Sequence, residues 1–450
     1  MRTLVLAQIA LYLAGIHAAR AERPADPGPH AIDARTLPRA YLRMPPLATG
    51  EMPALLSETG AFADTAKLAP SAGLVPYDLA VAFWSDGAHK SRWISVPEGK
   101  IGFSPAGEWS FPAGTVFVKT FELPVDAGNP AVTRRLETRL LVRDGNGGVY
   151  GVVYKWRPDN SDADLLDAAQ TELIPAKTAI GEISEQPWYY PSRKDCQTCH
   201  NQKAGGVLGV NTRQLNRTYV YPSGISENEL RTWNHIGLFE PGFNDEDLRG
   251  FARLASADDA TRSLEDRARS YLDANCAQCH RPGGTVVDFD ARYETPLEKQ
   301  GLVNGPVLID EGIDRARIIS PRDVWRSIAF MRMNTAGSIK MPPLARETID
   351  QEGVALLRQW IVDMPGTPVL DPPAISPAGG NFDQPVEVSL TGADAGTDIR
   401  YTLDGTAPGE SDRRYDEPIR LSSPTIVRAR AFKDGYTRSI VSQQVFIVGN

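Results

Sequence analysis

All four cysteines of this 450-residue chain fall into two copies of one pattern, Cys196-Gln197-Thr198-Cys199-His200 and Cys276-Ala277-Gln278-Cys279-His280. A disulfide framework would spread its cysteines over the loops it staples, and four are too few to hold a chain of this length. Two Cys-x-x-Cys knuckles can build a tetrahedral zinc site, yet the 76 residues between Cys199 and Cys276 far exceed the roughly 15 to 20 of a zinc ribbon. The histidine after each pair points elsewhere, because Cys-x-x-Cys-His is the attachment signature of haem c. Two thiols add to the two porphyrin vinyl groups, and the adjacent imidazole becomes the proximal iron ligand. Two covalently bound haem c groups are therefore expected. Cys196 and Cys199 anchor the first, with His200 on its iron; Cys276 and Cys279 anchor the second, with His280 on its iron.

The N-terminus has the layout of a secretory signal: Arg2, an apolar stretch from Leu4 to Ile16, and Ala19-Arg20-Ala21 as a small-residue cleavage site. Its 13 residues fall short of the roughly 20 that span a membrane, and no later segment is long and apolar enough. No membrane span is expected after cleavage, and the signal has no cysteine to carry a lipid. The expected location is the periplasm of a Gram-negative type cell. Loss of Arg2 and Arg20 leaves 46 basic against 56 acidic side chains, and no basic run stands out, which excludes nucleic acid as a partner. With 39 Gly and 35 Pro the chain reads as multidomain, turn-rich and β-rich.

Six segments follow from the patterning. Residues 1–21 form the signal and 22–65 a Pro-rich extended arm whose Met44-Pro45 step reads as loop packing. Residues 66–187 form a mainly-β domain, with Gly114 to Phe121 alternating and Leu136 to Val142 meeting Val149 to Trp156 across Asp144-Gly145-Asn146-Gly147-Gly148. Its tryptophans, Trp84, Trp93, Trp109 and Trp156, read as packing, although Trp84-Ser85-Asp86-Gly87 could line a site. Residues 188–258 carry the first haem motif and 259–367 the second, both expected as α-helical haem domains; 368–450 form an all-β sandwich.

In the second haem domain a helix capped by Ser263 and Asp266 feeds Cys276, Lys340-Met341-Pro342 comes 61 residues after His280, and a second helix is expected over Thr348 to Ile361. Met331 and Met333, at strand-like alternation, read as packing. The order of helix, motif, loop, Met-Pro and helix resembles class I cytochromes c. That resemblance implies Met341 as the distal iron ligand, and a thioether there raises the reduction potential. The first motif has no such methionine, none occurring between His200 and Met331. His235, on a short helix expected to open at the Ser226 to Glu229 capping box, is one candidate. The others are His89 or Met52 from the N-terminal part, a Met or Lys from elsewhere, and an open or water-filled position.

Residues 372–450, with Arg400-Tyr401-Thr402-Leu403-Asp404-Gly405, resemble the β-sandwich module at the C-terminus of chitobiase and β-hexosaminidase, a spacer or docking piece for a polymer or protein. Residues 50–365 resemble an uncharacterised family of exported bacterial dihaem c-type cytochromes. The runs that carry this are Phe83-Trp84-Ser85-Asp86-Gly87-Ala88-His89, the first motif with Leu208-Gly209-Val210-Asn211-Thr212-Arg213-Gln214, and the second with Met341-Pro342-Pro343-Leu344. The resemblance implies electron transfer with a periplasmic redox partner protein. The alternative is a dihaem redox enzyme, peroxidase-like or oxidase-like, with an open site at the first haem.

Overall fold

The structure is a computed structural model and describes residues 29–286, 289–392 and 395–449, so the expected signal, 1–21, lies outside the described residues. The alternating segments after residue 73 form a six-stranded antiparallel sheet in chain order: β1 (Leu74–Tyr77), β2 (His89–Ser95), β3 (Val116–Pro124), β4 (Thr133–Arg143), β5 (Val149–Trp156) and β6 (Ala163–Leu165). The expected hairpin is the β4–β5 pair, with Leu140 opposite Val152. Asp144 closes its turn by accepting the Asn146 and Gly148 N–H groups at 2.9 and 2.7 Å.

Period two gives the sheet two different faces. One carries Trp93, Val116, Val118, Leu140, Val142, Val152 and Tyr154 and is covered by the arm, whose Leu42, Met44 and Leu56 join the same core. Met44 is loop packing, its sulfur 4.0 Å from the Tyr154 hydroxyl. On the other face Val75, Ile94 and Phe117 pack against Leu215, Leu230, Trp233 and Phe239. The boundary expected at 187/188 therefore runs through one shared core. Segment 188–258 holds only helices of four to seven residues, α1 (Arg193–Cys199), α2 (Thr212–Leu215) and α3 (Glu229–His235), too short to bury a core by themselves. It borrows the sheet instead of forming a helical domain.

Segment 259–367 has a core of its own, built on α4 (Leu264–Cys276), α5 (Ile328–Met333) and α6 (Gln351–Asp363). Gly353 lets α6 approach α4, since a Cβ there would meet the Tyr271 ring at 2.4 Å. Three expected local features are corrected. Met331 and Met333 lie on α5, because five residues cannot separate a short helix from a strand by period. The last helix begins at Gln351, capped by Asp350, since the backbone and hydroxyl of Thr348 are held by Asp86. Ser226–Asn228 is a strand paired with Thr218–Val220, and Asn228 caps α3.

The chain as described is mainly β with few helices. Residues 374–448 form a three-stranded and a five-stranded sheet closing on Val388, Leu390, Tyr401, Val427 and Phe446. Arg326 joins this sandwich to the preceding segment, donating from Nη2 to the Ser439 carbonyl at 3.1 Å. Among the described residues no helix is long and apolar enough to cross a membrane.

Candidate functional site

The first motif is laid on the sheet by α1. Ser192 and Asp195 cap that helix reciprocally, and the Tyr189 hydroxyl also donates to Asp195 at 2.8 Å. Cys196 lands directly over Gly151 of β5, where an added Cβ would meet its Sγ at 2.7 Å. Only glycine at 151 leaves room for the thiol. Where α1 ends, the His200 N–H donates to the Cys196 carbonyl at 2.9 Å, and the ring donates from Nδ1 to the Gly206 carbonyl at 2.8 Å. That second bond fixes the tautomer and leaves Nε2 as the basic nitrogen. Burial pushes the imidazole down to about 4, so it is neutral at pH 7.

Cys196, Cys199 and His200 line a cleft. Its roof comes from the second segment through Ala274, Gln278, Leu344 and Ala345, and its floor is the sheet, through Lys90, Arg92, Lys119 and Arg139. Two thiols and a neutral histidine with a free Nε2 are the donor set that a porphyrin anchored at α1 would need. Sequence reasoning missed the four cations. Their signal lies in runs such as Val116-Phe117-Val118-Lys119-Thr120-Phe121, where a lysine takes a slot that the alternation assigns to the buried face.

The second motif repeats one bond of the first, His280 N–H donating to the Cys276 carbonyl at 2.9 Å, although α4 ends at Cys276 where α1 runs on through Cys199. Ser263 caps α4 as expected, and the helix delivers Cys276 into its core; burial pushes that thiol up to about 12. The His280 ring stacks on Phe289 with centroids 4.1 Å apart, its Nδ1 is buried without a partner among the described residues, and burial holds it down to about 4. An orphaned ring nitrogen and a neutral imidazole again suit a metal ligand. Met341 is tied to this side by the backbone. Its N–H donates to the Arg332 carbonyl at 2.9 Å and its carbonyl accepts from Arg346 at 2.7 Å. The charge of Arg332 is in turn close enough to depress His280.

The structure brings the two motifs together. The Cys199 and Cys279 thiols lie close enough to perturb one another, and with Arg281 nearby the Cys279 thiol is held below its ordinary value. Arg281 reaches back to the Lys203 carbonyl and to Glu108, while Arg213 makes a buried ion pair with Asp273 of α4 at 2.9 Å. Trp84 and Asp86 do not line the cleft; Asp86 accepts the Glu347 and Thr348 N–H groups at 2.8 and 2.7 Å and clasps the segment that carries Met341. Among the described residues no three Cys, His, Asp or Glu side chains converge on one metal position.

His235 is not brought to the cleft. It is exposed at the end of α3, its ring stacked on His30 at 3.4 Å and its Nε2 3.1 Å from the Asp33 carbonyl, because the face of α3 that meets the sheet carries Leu230 and Trp233. His89 is exposed at the start of β2 and Met52, half-buried on the arm, packs against the core on the sheet's other face, so neither of these candidates reaches the cleft.

Residues 377–443 match the family model of the chitobiase/beta-hexosaminidase C-terminal domain. No curated protein matches the chain.

Proposed function

We propose that this chain is an exported dihaem c-type cytochrome that passes electrons between a periplasmic redox partner protein and an acceptor. The observation that carries the reading is the meeting of the two motifs, each with its histidine N–H on the carbonyl of its first cysteine, Arg281 bonded to the Lys203 carbonyl, and the Cys199 and Cys279 thiols close together. When bound, each haem supplies a one-electron iron couple. The chain's own residues do the rest. Cys196, Cys199, Cys276 and Cys279 are the thioether anchors, His200 and His280 the proximal ligands, and the Gly206 carbonyl orients His200. Met341 is the distal ligand of the second site, in a class I cytochrome c-like arrangement between α4 and α6. Linked edges at Cys199 and Cys279 would keep the electron's path short. The C-terminal sandwich is a docking piece for a polymer or protein.

A second reading is favoured by one feature of the first cleft. Among the described residues His200 is its single histidine and no methionine lines it. A vacant sixth position would make the protein a dihaem redox enzyme acting on a small molecule. Optical and EPR spectra of the purified protein, with and without cyanide and carbon monoxide, decide between the two. Two low-spin haems indifferent to both ligands support the carrier; a high-spin signal that disappears on ligand binding supports the enzyme.

A further inference from the structure

The wall that β2, β3 and β4 present to the first cleft has no part in holding the two motifs. In the cross-strand register Arg92 lies opposite Lys119 and Lys119 opposite Arg139, and Lys90 falls on the same face one row along. Like charges directly opposite one another destabilise a sheet, and a cleft shields them from salt. The adjacent row of this face, Val75, Ile94, Phe117 and Leu141, is apolar, so the strands have no structural need for cations here.

Compensation is incomplete. Arg92 is answered by Asp78, and Arg139 by Glu137, which accepts two bonds at 2.5 and 3.0 Å. Lys90 Nζ donates to the Phe83 carbonyl at 2.8 Å, a dipole and not a charge. Lys119 lies over the Phe121 ring at 5.1 Å and has no carboxylate or hydrogen-bond acceptor among the described residues. The other carboxylates lining the cleft are engaged: Asp195 caps α1, Glu108 pairs with Arg281, and Asp273 with Arg213. Two ammonium groups are left facing the space.

We propose that this wall is a binding site for carboxylate or oxyanion groups, with Lys90 and Lys119 as its anchors and Arg92 and Arg139 flanking them. It deepens the haem reading, since the two propionates of a porphyrin held at Cys196 and Cys199 supply this chemistry. A free dicarboxylate or oxyanion entering the cleft is the other source. Without an anion, burial and the neighbouring arginines press Lys119 down to about 7.

The test uses the full-length chain as purified, wild type and the double variant Lys90→Gln/Lys119→Gln. Haem per chain is read from the alkaline pyridine spectrum, and midpoint potentials are read with and without succinate or phosphate. If the wall holds haem carboxylates, the double variant lowers the reduction constant of one haem about tenfold, ~59 mV for a one-electron couple, leaves the other unchanged, and neither anion shifts either protein. If the occupant is a free anion, succinate or phosphate shifts the wild-type potential saturably and does not shift the variant. Equal potentials and equal anion responses in the two proteins overturn the proposal. So does a change of spin state in Lys119→Gln, which would make the amine an iron ligand.

A chain purified without haem would defeat the cytochrome reading and leave the wall testable. Its melting temperature should then rise with succinate or phosphate in the wild type and not in Lys119→Gln; no rise overturns the site. Because glutamine removes a repelled charge, the variants should melt no lower than the wild type without anion, and Lys119→Met serves as a second check.

Discussion

At Cys196 the motif is carried on the short helix α1, laid on a β-sheet, in a segment that shares its core with 66–187; at Cys276 it follows the end of a 13-residue helix packed on α6. The two turns share the bond from the His N–H to the carbonyl of the first cysteine, yet their surroundings differ in kind. The first site faces cations and, among the described residues, has no methionine, and a carbonyl fixes its histidine tautomer; the second has a methionine on a tethered loop and a histidine stacked on Phe289. One motif can thus be set in two environments because its local turn needs nothing beyond five residues, while everything that tunes a bound group comes from elsewhere.

The largest expected effect removes one side of the comparison. Cys196→Ala/Cys199→Ala and Cys276→Ala/Cys279→Ala should each halve the covalent haem per chain, read from the pyridine spectrum. Loss of all haem from either variant would mean that the sites do not load separately. Next, Met341→Ala should abolish the weak near-infrared sulfur-to-iron band and lower one midpoint potential, with the other unmoved. Survival of the band would place the sulfur elsewhere.

The bridge between the two sites is the third target. Asp273→Asn takes from the buried Arg213 guanidinium the nearest of its three carboxylates and should cost about 3–5 kcal/mol in urea unfolding. A smaller effect would mean that Glu108 and Glu294, at 3.6 and 3.8 Å, take over.

The smallest effect is a pH slope confined to the first site. Lys119, facing Lys90, Arg92, Arg139 and Glu137, is held at about 7 in the folded chain against an ordinary 10.5. Between those values the unfolded chain binds the extra proton, so stability of the haem-free chain should rise with pH through that window, by at most about 1.4 kcal/mol per unit. Lys119→Gln should flatten the difference; identical slopes would show that the amine is solvated.

The β4–β5 hairpin, the Ser263 cap and the C-terminal sandwich were readable because each rests on local patterns, namely period two, a capping box and repeated strand and turn runs. The shared core at 187/188 was not, since Leu215, Leu230 and Trp233 look like material for a separate domain until the partner sheet is known. His235 illustrates the limit for sites. Proximity in sequence to the motif suggested a ligand, but helical phase turns Leu230 and Trp233 inward and leaves the imidazole on His30.

What the sequence determined by itself is the chemistry carried within five residues: two thiol pairs, each with its histidine, and the absence of any methionine near the first. Tertiary structure decided which groups meet them. It placed Gly151 beneath Cys196, set Cys199 against Cys279 across 79 intervening residues, and aligned Arg92, Lys119 and Arg139 on one wall. Strand register and helix packing fix those meetings, and they depend on which faces are buried together, a property that no single stretch of the chain contains.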